Sequence, residues 1–401
     1  ANTLIKDLEA VTQEIRVFSE NNEKVNWLLG AYYYQEDMEY TNSIYFGSLW
    51  RGYIDALAPG ALTSVAAAFG IPDSMLFAPG QGVKEFSTQD NSTTSIYAQL
   101  DIKLSDKLNA LIGASYIEDE KTVSINQVNT DIFSNLDFVG AGTLGLIAAG
   151  IPPSQAAILA TDPAYNPLLG LQGIQFLPQF VNYPNVAQDG KSNDDNIDYT
   201  FKLSYLLNES TTIYGGVSTG YKATAWNISR DSLPDAAETS ALAAAGTPVG
   251  PNTGLGRRYA DPEESEVFEL GAKILLPSGY LNIAIFDQKI EGFQSNTFVG
   301  TGFILANAGS QSSDGYEFDL VMSPTESIDL AISGLFMDPI YDSYVGAAAG
   351  DLTGTVPSNI PEDTISSSVT YNFNINNWDS YLRISHLYSS QAFLLENPTH
   401  Q

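Results

Sequence analysis

The 401-residue sequence contains no cysteine, and its only two histidines are His386 and His400. Without thiols there is no disulfide framework, no thiolate nucleophile and no Cys-ligated zinc or iron–sulfur centre. Two histidines near the C-terminus leave charge-relay catalysis and His-rich metal sites almost no raw material. Cations are scarce as well: 17 Lys and Arg stand against 47 Asp and Glu, for a net charge of −30. Nucleic-acid binding draws its affinity from Lys and Arg on phosphates, so no nucleic acid is expected as a partner; anchoring to an anionic lipid surface needs the same cations. Long apolar helical runs are also missing. A long uncharged stretch, Phe138 to Thr161, is interrupted by Pro152 and Pro153, where a spanning helix needs about 20 apolar residues. It reads as a loop with a short helix starting near Pro153. No signal peptide opens the chain, and Ala1 reads as the interior of a longer protein.

The composition that remains is that of a folded chain, 44% hydrophobic with 16% charged residues. Aromatic residues and glycine are abundant, with 22 Tyr, 19 Phe and 33 Gly, which suits an all-β protein.

Periodicity carries the fold. Apolar and polar residues alternate strictly along most of the chain, as in a strand whose faces meet unlike surroundings. Between Thr93 and Leu104, Ile96, Ala98, Leu100, Ile102 and Leu104 oppose Ser95, Tyr97, Gln99, Asp101 and Lys103. Between Ile197 and Leu207, Ile197, Tyr199, Phe201, Leu203, Tyr205 and Leu207 oppose Asp198, Thr200, Lys202 and Ser204. About 12 strands are predicted, near residues 9–20, 25–40, 91–104, 108–125, 196–207, 211–226, 264–276, 280–295, 311–323, 327–338, 362–375 and 378–390. Many are long enough to cross a bilayer at a tilt, which takes about 10 residues.

Connections alternate in length. Short turns fall at Asn21–Lys24, Ser105–Lys107, Asn208–Ser210, Pro277–Gly279, Pro324–Glu326 and Asn376–Asn377. Long loops fall near 41–90, 126–195, 227–263, 296–310 and 339–361. In a meander this puts all short turns at one end and all long loops at the other, the asymmetry of an outer-membrane barrel. A propeller requires a fixed repeat, and the hairpins begin near 9, 91, 196, 264, 311 and 362, at unequal steps. The expected fold is therefore an all-β, transmembrane, antiparallel up-and-down β-barrel.

Four stretches resemble a known family. Gln13, Glu14, Ile15 and Arg16 followed by Trp27, Gly30, Tyr32 and Tyr33 make a "QE-L-R" and "W-x-x-G-x-Y-Y" strand pair. Tyr214, Gly220, Tyr221, Lys222 and Asn227 follow a "Y-x-S-x-x-x-G-Y-K" pattern. Pro262, Glu263, Glu269, Gly271 and Lys273 follow "P-E-x-x-x-x-x-E-x-G-x-K", and Asn307, Ala308, Gly309, Gly315 and Glu317 follow "N-A-G-x-x-x-x-x-G-x-E". In order and spacing these are similar to the TonB-dependent outer-membrane receptors. The resemblance implies that residues 1–401 are part of the barrel domain, about 12 strands of a 22-stranded barrel, with the plug, its energy-coupling box and the last strands lying outside the sequence. It further implies TonB-energised uptake of a scarce extracellular ligand, with ferric siderophores the commonest class, in the outer membrane of a Gram-negative bacterium. TonB would act through the plug, and the surroundings would be outer-membrane lipid and lipopolysaccharide.

No catalytic, cofactor-binding or metal-binding residue is assigned, the substrate-contacting residues are not identified, and no enzyme activity is expected. Glu269 and Lys273 are expected to join a lumen-side ladder of hydrogen bonds and ion pairs, and Gly215, Gly216, Gly220 and Gly271 to allow close approach or bending. Tyr32, Tyr33, Tyr34, Tyr214, Tyr221, Trp226 and Trp378 are expected in an interfacial girdle. Acidic residues gather at loop-side strand ends, among them Glu36, Asp37, Glu39, Glu118, Asp119, Glu120, Asp194, Asp195, Asp198, Asp261, Glu263, Glu264, Glu266, Asp338, Asp342, Glu362 and Asp363. They are expected to crown the outward mouth, either as a rim balanced by divalent cations shared with lipopolysaccharide or as a field that favours neutral or cationic ligands. The apolar content of Leu57–Phe77 and Phe133–Phe180 leaves two options, loops that wall a ligand pocket or loops that pack on one another. The alternatives to a receptor are a passive porin-like channel, a surface adhesin and a membrane-barrel hydrolase. The last lacks a Ser-Asp partner for His386, which reads as an interface residue.

Overall fold

The alternation is realised as one continuous sheet. In the computed structural model, which describes residues 2–19, 24–176, 188–229, 233–246, 257–298, 303–345, 347, 349–397 and 399, the sheet's strands are β1 (Asn2–Phe18), β2 (Val25–Tyr45), β3 (Gly82–Lys103), β4 (Leu108–Asn129), β5 (Lys191–Asn208), β6 (Thr211–Lys222), β7 (Glu263–Leu276), β8 (Gly279–Glu291), β9 (Ser310–Thr325), β10 (Ile328–Ser343), β11 (Asp363–Ile375) and β12 (Trp378–Ser389). Each pairs antiparallel with the next, which makes an up-and-down meander. Among the described residues β1 and β12 are paired on one side only.

The faces of this sheet are inverted relative to a soluble protein. Along β5 exposure alternates residue by residue, and the apolar side is the exposed one, with Ile197 66% and Phe201 41% accessible. Asp198, Thr200, Lys202 and Ser204 lie half-buried on the opposite side. A soluble sheet hides its apolar face in a core; here, among the described residues, the apolar face has no protein over it, as lipid contact requires. We call it the outer face and the polar side the inner face.

The strands outrun their predicted ends on the loop side. β2 and β3 pair without interruption up to Tyr45 and Gly82, and β4 continues to Asn129. On the outer face of β4 the apolar series Ile112, Ala114, Tyr116 gives way to Glu118, Glu120, Thr122 and Ser124. Past Tyr116 both faces meet water or loops, so apolar–polar alternation fades although the ladder continues. At about 3.3 Å per residue the extension projects roughly 40 Å beyond that tyrosine along the strand. The opposite, short-turn ends match expectation. Asn376 and Asn377 both adopt left-handed φ, 48° and 69°, as a two-residue hairpin turn demands. Ser210 N–H donates to the Asn208 side chain at 3.0 Å. The expected turn at Asn21–Lys24 lies largely outside the described residues.

The long connections are structured. The first carries α1 (Trp50–Leu57) and α2 (Ala61–Phe69), and the second α3 (Phe138–Ala148) and α4 (Pro153–Leu159). The helix expected near Pro153 is α4. α3 precedes it because the Asp137 carboxylate accepts the Gly140 N–H at 2.8 Å and caps the turn. The two connections pack on one another through Phe46, Phe77, Phe133, Phe138 and Phe176, with Phe77 and Phe133 ring centroids 4.4 Å apart. Buried Asp131 accepts the Phe133 and Ser134 N–H groups at 3.1 and 3.2 Å; burial pushes its carboxyl pKa up while these bonds pull the other way. The result is a helical tower above β2–β4. α5 (Ala236–Ala244) lies in the third connection.

Two motif glycines admit tyrosines on the inner face. A Cβ at Gly30 would stand 2.1 Å from the Tyr97 Cζ. The Tyr97 ring crosses Gly30 so that its hydroxyl donates to Glu14 at 2.5 Å, where Arg16 also binds. Gly271 plays the same part for Tyr214, whose ring lies beneath the Lys202 ammonium at 3.7 Å, with Lys273 at 5.8 Å. The Tyr214 hydroxyl also bonds the Glu269 carboxylate, so Glu269 and Lys273 meet around Tyr214, and no ion pair joins them directly among the described residues.

Two outcomes follow for the full-length protein. Phe201→Arg on the outer face should lower stability by roughly 2–4 kcal/mol in urea unfolding, whereas the inner-face change Thr200→Arg should cost much less. Gly30→Ala should cost about 1–3 kcal/mol by overpacking, and the same change made in a Tyr97→Ala background should cost little, because the clash is gone.

Candidate mouth of the barrel

Alternation sorts the acidic crown into two populations. Asp37, Glu39, Glu118, Glu120, Asp195, Glu264, Glu266 and Asp338 lie on the outer face, immediately above the apolar band. Glu9, Asp37 and Asp90 stand directly opposite one another across β1–β3, and Asp287, Asp314 and Asp338 across β8–β10. Like charges so placed repel. Asp342, which accepts the Ser312 hydroxyl at 2.8 Å, and Asp363 continue the outer ring.

The carboxylates that face inward are fewer, and each has a donor. Glu36 accepts the Tyr34 hydroxyl at 2.6 Å. Asp119 accepts the Thr93 hydroxyl at 2.8 Å and pairs with Lys121. Asp194 accepts the Thr224 N–H at 3.1 Å, and Asp198 accepts the Thr219 hydroxyl at 3.1 Å. Glu263 accepts the Gln294 N–H at 2.7 Å, with Lys222 at 3.5 Å. Glu85 is fully buried beneath the tower, bonded to Asn42 at 2.8 Å, and does not face the mouth. A mouth-wide crown is therefore corrected to an outer ring plus an inner set of five carboxylates and two lysines.

The expected aromatic girdle is corrected in the same way. Tyr33 and Trp378 lie exposed on the outer face, as expected. Tyr32 and Tyr34 point inward, because three consecutive strand residues cannot share a face. Tyr214 lies over Gly271 in the lumen, and the Tyr221 hydroxyl is buried near the inner acidic residues. Trp226 is only 9% exposed and packs in a core with Val123 and Ile125.

That last contact shapes the mouth. Val123 and Ile125 are inner-face residues of β4, and Trp226 begins the connection from β6 to β7. Its Nε1 donates to the Ser192 hydroxyl of β5 at 3.0 Å, and the Ser87 hydroxyl of β3 donates to the Ile228 carbonyl at 2.5 Å. The connection thus folds inward across three strands. Within it, Arg258 is fully buried against Glu238 at 3.2 Å, and burial raises the Glu238 carboxyl pKa against the pull of that arginine. Asp235 and Glu238 form a capping box at the start of α5.

A second junction joins neighbouring connections. Asn307 accepts the Asp261 N–H at 2.8 Å and donates to the carbonyls of Asp261 and Gly292 at 2.8 and 2.6 Å. The Gln294 side chain donates to Ala223 and Asp261 carbonyls at 2.9 and 3.0 Å. The "N-A-G" asparagine is therefore a clamp at the base of the loops. Its motif marks the position in the sequence, but nothing local reveals the contact to Asp261, 46 residues away.

The family model described as TonB dependent receptor-like, beta-barrel, matches residues 7–398. No curated protein sequence matches the chain. Among solved structures, the ferric yersiniabactin uptake receptor FyuA from Yersinia pestis aligns over 99% of this chain and 45% of its own, at 15% identity and a TM-score of 0.62. The siderophore receptor PiuA from Acinetobacter baumannii aligns over 92% and 44%, at 15% identity and 0.54. The ferric preacinetobactin receptor BauA from the same species aligns over 96% and 44%, at 13% identity and 0.51. The chain spans less than half the length of each, and at these identities the likeness is one of fold. With the family model matched along nearly its whole length, the chain belongs to the TonB-dependent receptor β-barrel family and resides in the Gram-negative outer membrane.

Proposed function

We propose that the chain supplies the loop-bearing wall of an outer-membrane receptor that imports a scarce ligand of the ferric siderophore class, with energy delivered by TonB through a plug. The carrying observation is the family match over residues 7–398, joined to a mouth built from structured loops. Solved proteins of similar fold are described as receptors for ferric yersiniabactin and ferric preacinetobactin, which supports the ligand class. The outer carboxylate ring supports a second partner. It lies where headgroups of the outer leaflet begin, and divalent cations shared with lipopolysaccharide would relieve its repulsion.

In an iron-starved host, deleting the gene should abolish growth on at least one class of ferric complex among hydroxamates, catecholates and citrate. Restoring the full-length gene should restore that growth, and loss of TonB should mimic the deletion. Growth on every complex unchanged by the deletion would contradict the iron reading.

The inner carboxylates favour a neutral or cationic complex over a polyanionic one. Of two analogues of the transported complex that differ in charge, the cationic one should enter faster at low ionic strength, and the difference should shrink as salt screens the field. Faster entry of the anionic analogue at low salt contradicts this assignment.

A further inference from the structure

At the loop-side end of β9 and β10 the fold closes over polar atoms that it leaves without partners. Tyr341 of β10 is buried in a small core with Ala308, Tyr344 and Leu352. Its hydroxyl donates to Glu396 Oε1 at 3.0 Å and also meets the Ser295 hydroxyl. The same carboxylate oxygen accepts the Ser358 N–H and hydroxyl at 3.2 and 2.8 Å. Its twin, Glu396 Oε2, is buried and meets no donor, and no Lys or Arg pairs with this carboxylate among the described residues. Gln311, the cross-strand partner of Tyr341 on the inner face, is 6% exposed, and Ser313, two residues along the same face, 7%. Gln311 Oε1 and Ser313 Oγ are likewise without a partner among the described residues.

A buried carboxylate oxygen with neither donor nor counter-charge is costly, and so is a buried amide oxygen without a donor. Cross-strand neighbours have Cβ atoms about 5 Å apart, which brings the Gln311 amide within reach of the Tyr341 ring and of Glu396 at its tip. We infer that Glu396 Oε2, Gln311 Oε1 and Ser313 Oγ take a calcium ion on the inner side of the mouth. Calcium accepts carboxylate, amide and water oxygens in irregular geometry, whereas zinc and copper select nitrogen or sulfur ligands. Among the described residues no three acidic or His side chains converge. With one carboxylate the site is of the weak extracellular kind, half-filled at about 0.1–1 mM. It is separate from the acidic ring, because Asp314, Asp338 and Asp342 occupy the opposite face of the same strands. The Asn359 N–H donates to the Phe393 carbonyl at 2.7 Å, so the segment that carries Glu396 already lies against the connection between β10 and β11. Bound calcium ties that segment to the wall of β9 and β10. The inference goes beyond the uptake reading and needs no transported ligand.

The test uses the full-length protein, reconstituted in phosphatidylcholine vesicles, with a spin label attached through Leu394→Cys. Leu394 is 79% exposed, and the 401 residues contain no cysteine of their own. Heat-modifiable gel mobility checks that each barrel is folded. Calcium added at constant ionic strength should immobilise the label, half-maximally at about 0.1–1 mM. Glu396→Gln should raise that midpoint at least ten-fold. Gln311→Leu, which leaves the hydrogen bonds of Glu396 in place, should raise it at least three-fold. Asp314→Asn together with Asp338→Asn, which neutralises part of the outer ring, should leave it unchanged. A label that does not respond to calcium would overturn the site. So would a response that survives Glu396→Gln, one that disappears with the ring variant, or a midpoint that Gln311→Leu does not move.

Discussion

In hydrocarbon a peptide group has no water to bond, so each N–H and C=O of a membrane-crossing strand must find its partner on a neighbouring strand. The rest of this structure depends on that constraint. It requires the uninterrupted ladder from β1 to β12. It turns the apolar residues of β5 outward and leaves Lys202, Tyr214 and the motif glycines to the interior. It also gives meaning to the one-sided pairing of β1 and β12. Edges of that kind are tolerated in a bilayer only when other strands cover them, which agrees with a chain spanning under half of the solved receptors it resembles in fold.

Where the ladder leaves the membrane, the same pairing continues for a different purpose. The outer face turns acidic within a few residues of Tyr33, Tyr116 and Ile197, at Asp37, Glu118 and Asp195. The inner face keeps its carboxylates matched to donors, as Asp119 is to Thr93 and Lys121. On this platform the connections are anchored in different ways. Two merge around a shared aromatic core into a tower, and a third folds inward, where Trp226, Ile228 and Tyr259 pack with Val123 and Ile125.

How much of this was legible in the sequence follows from what each residue faces. Between Ile197 and Leu207 lipid and lumen impose opposite demands on successive residues, so the strand and its faces could be read directly. Between Thr41 and Tyr45, or Gly82 and Asp90, neither face meets lipid, and the strands continued unseen. Tyr32, Tyr33 and Tyr34 each suit an interface by residue type, but alternation along the strand separates Tyr33 from the other two. The acidic crown divides by the same rule. Trp226 on Val123 was not legible at all, being a contact across about a hundred residues with no periodic signal on the loop side. The Pro153 helix is visible in the sequence because a proline at a first helical turn is a local cue, and α3 is not because its apolar run has no amphipathic stripe.

The central claim is that the apolar face of this sheet meets lipid and the polar face meets water. Spin labels placed singly from residue 197 to residue 205 in the full-length protein, in membranes, test it most directly. Positions 197, 199, 201, 203 and 205 should be relaxed by oxygen dissolved in lipid, and 198, 200, 202 and 204 by a water-soluble nickel chelate, with a period of two. Uniform accessibility along the series, or chelate access at the odd positions, would contradict the account.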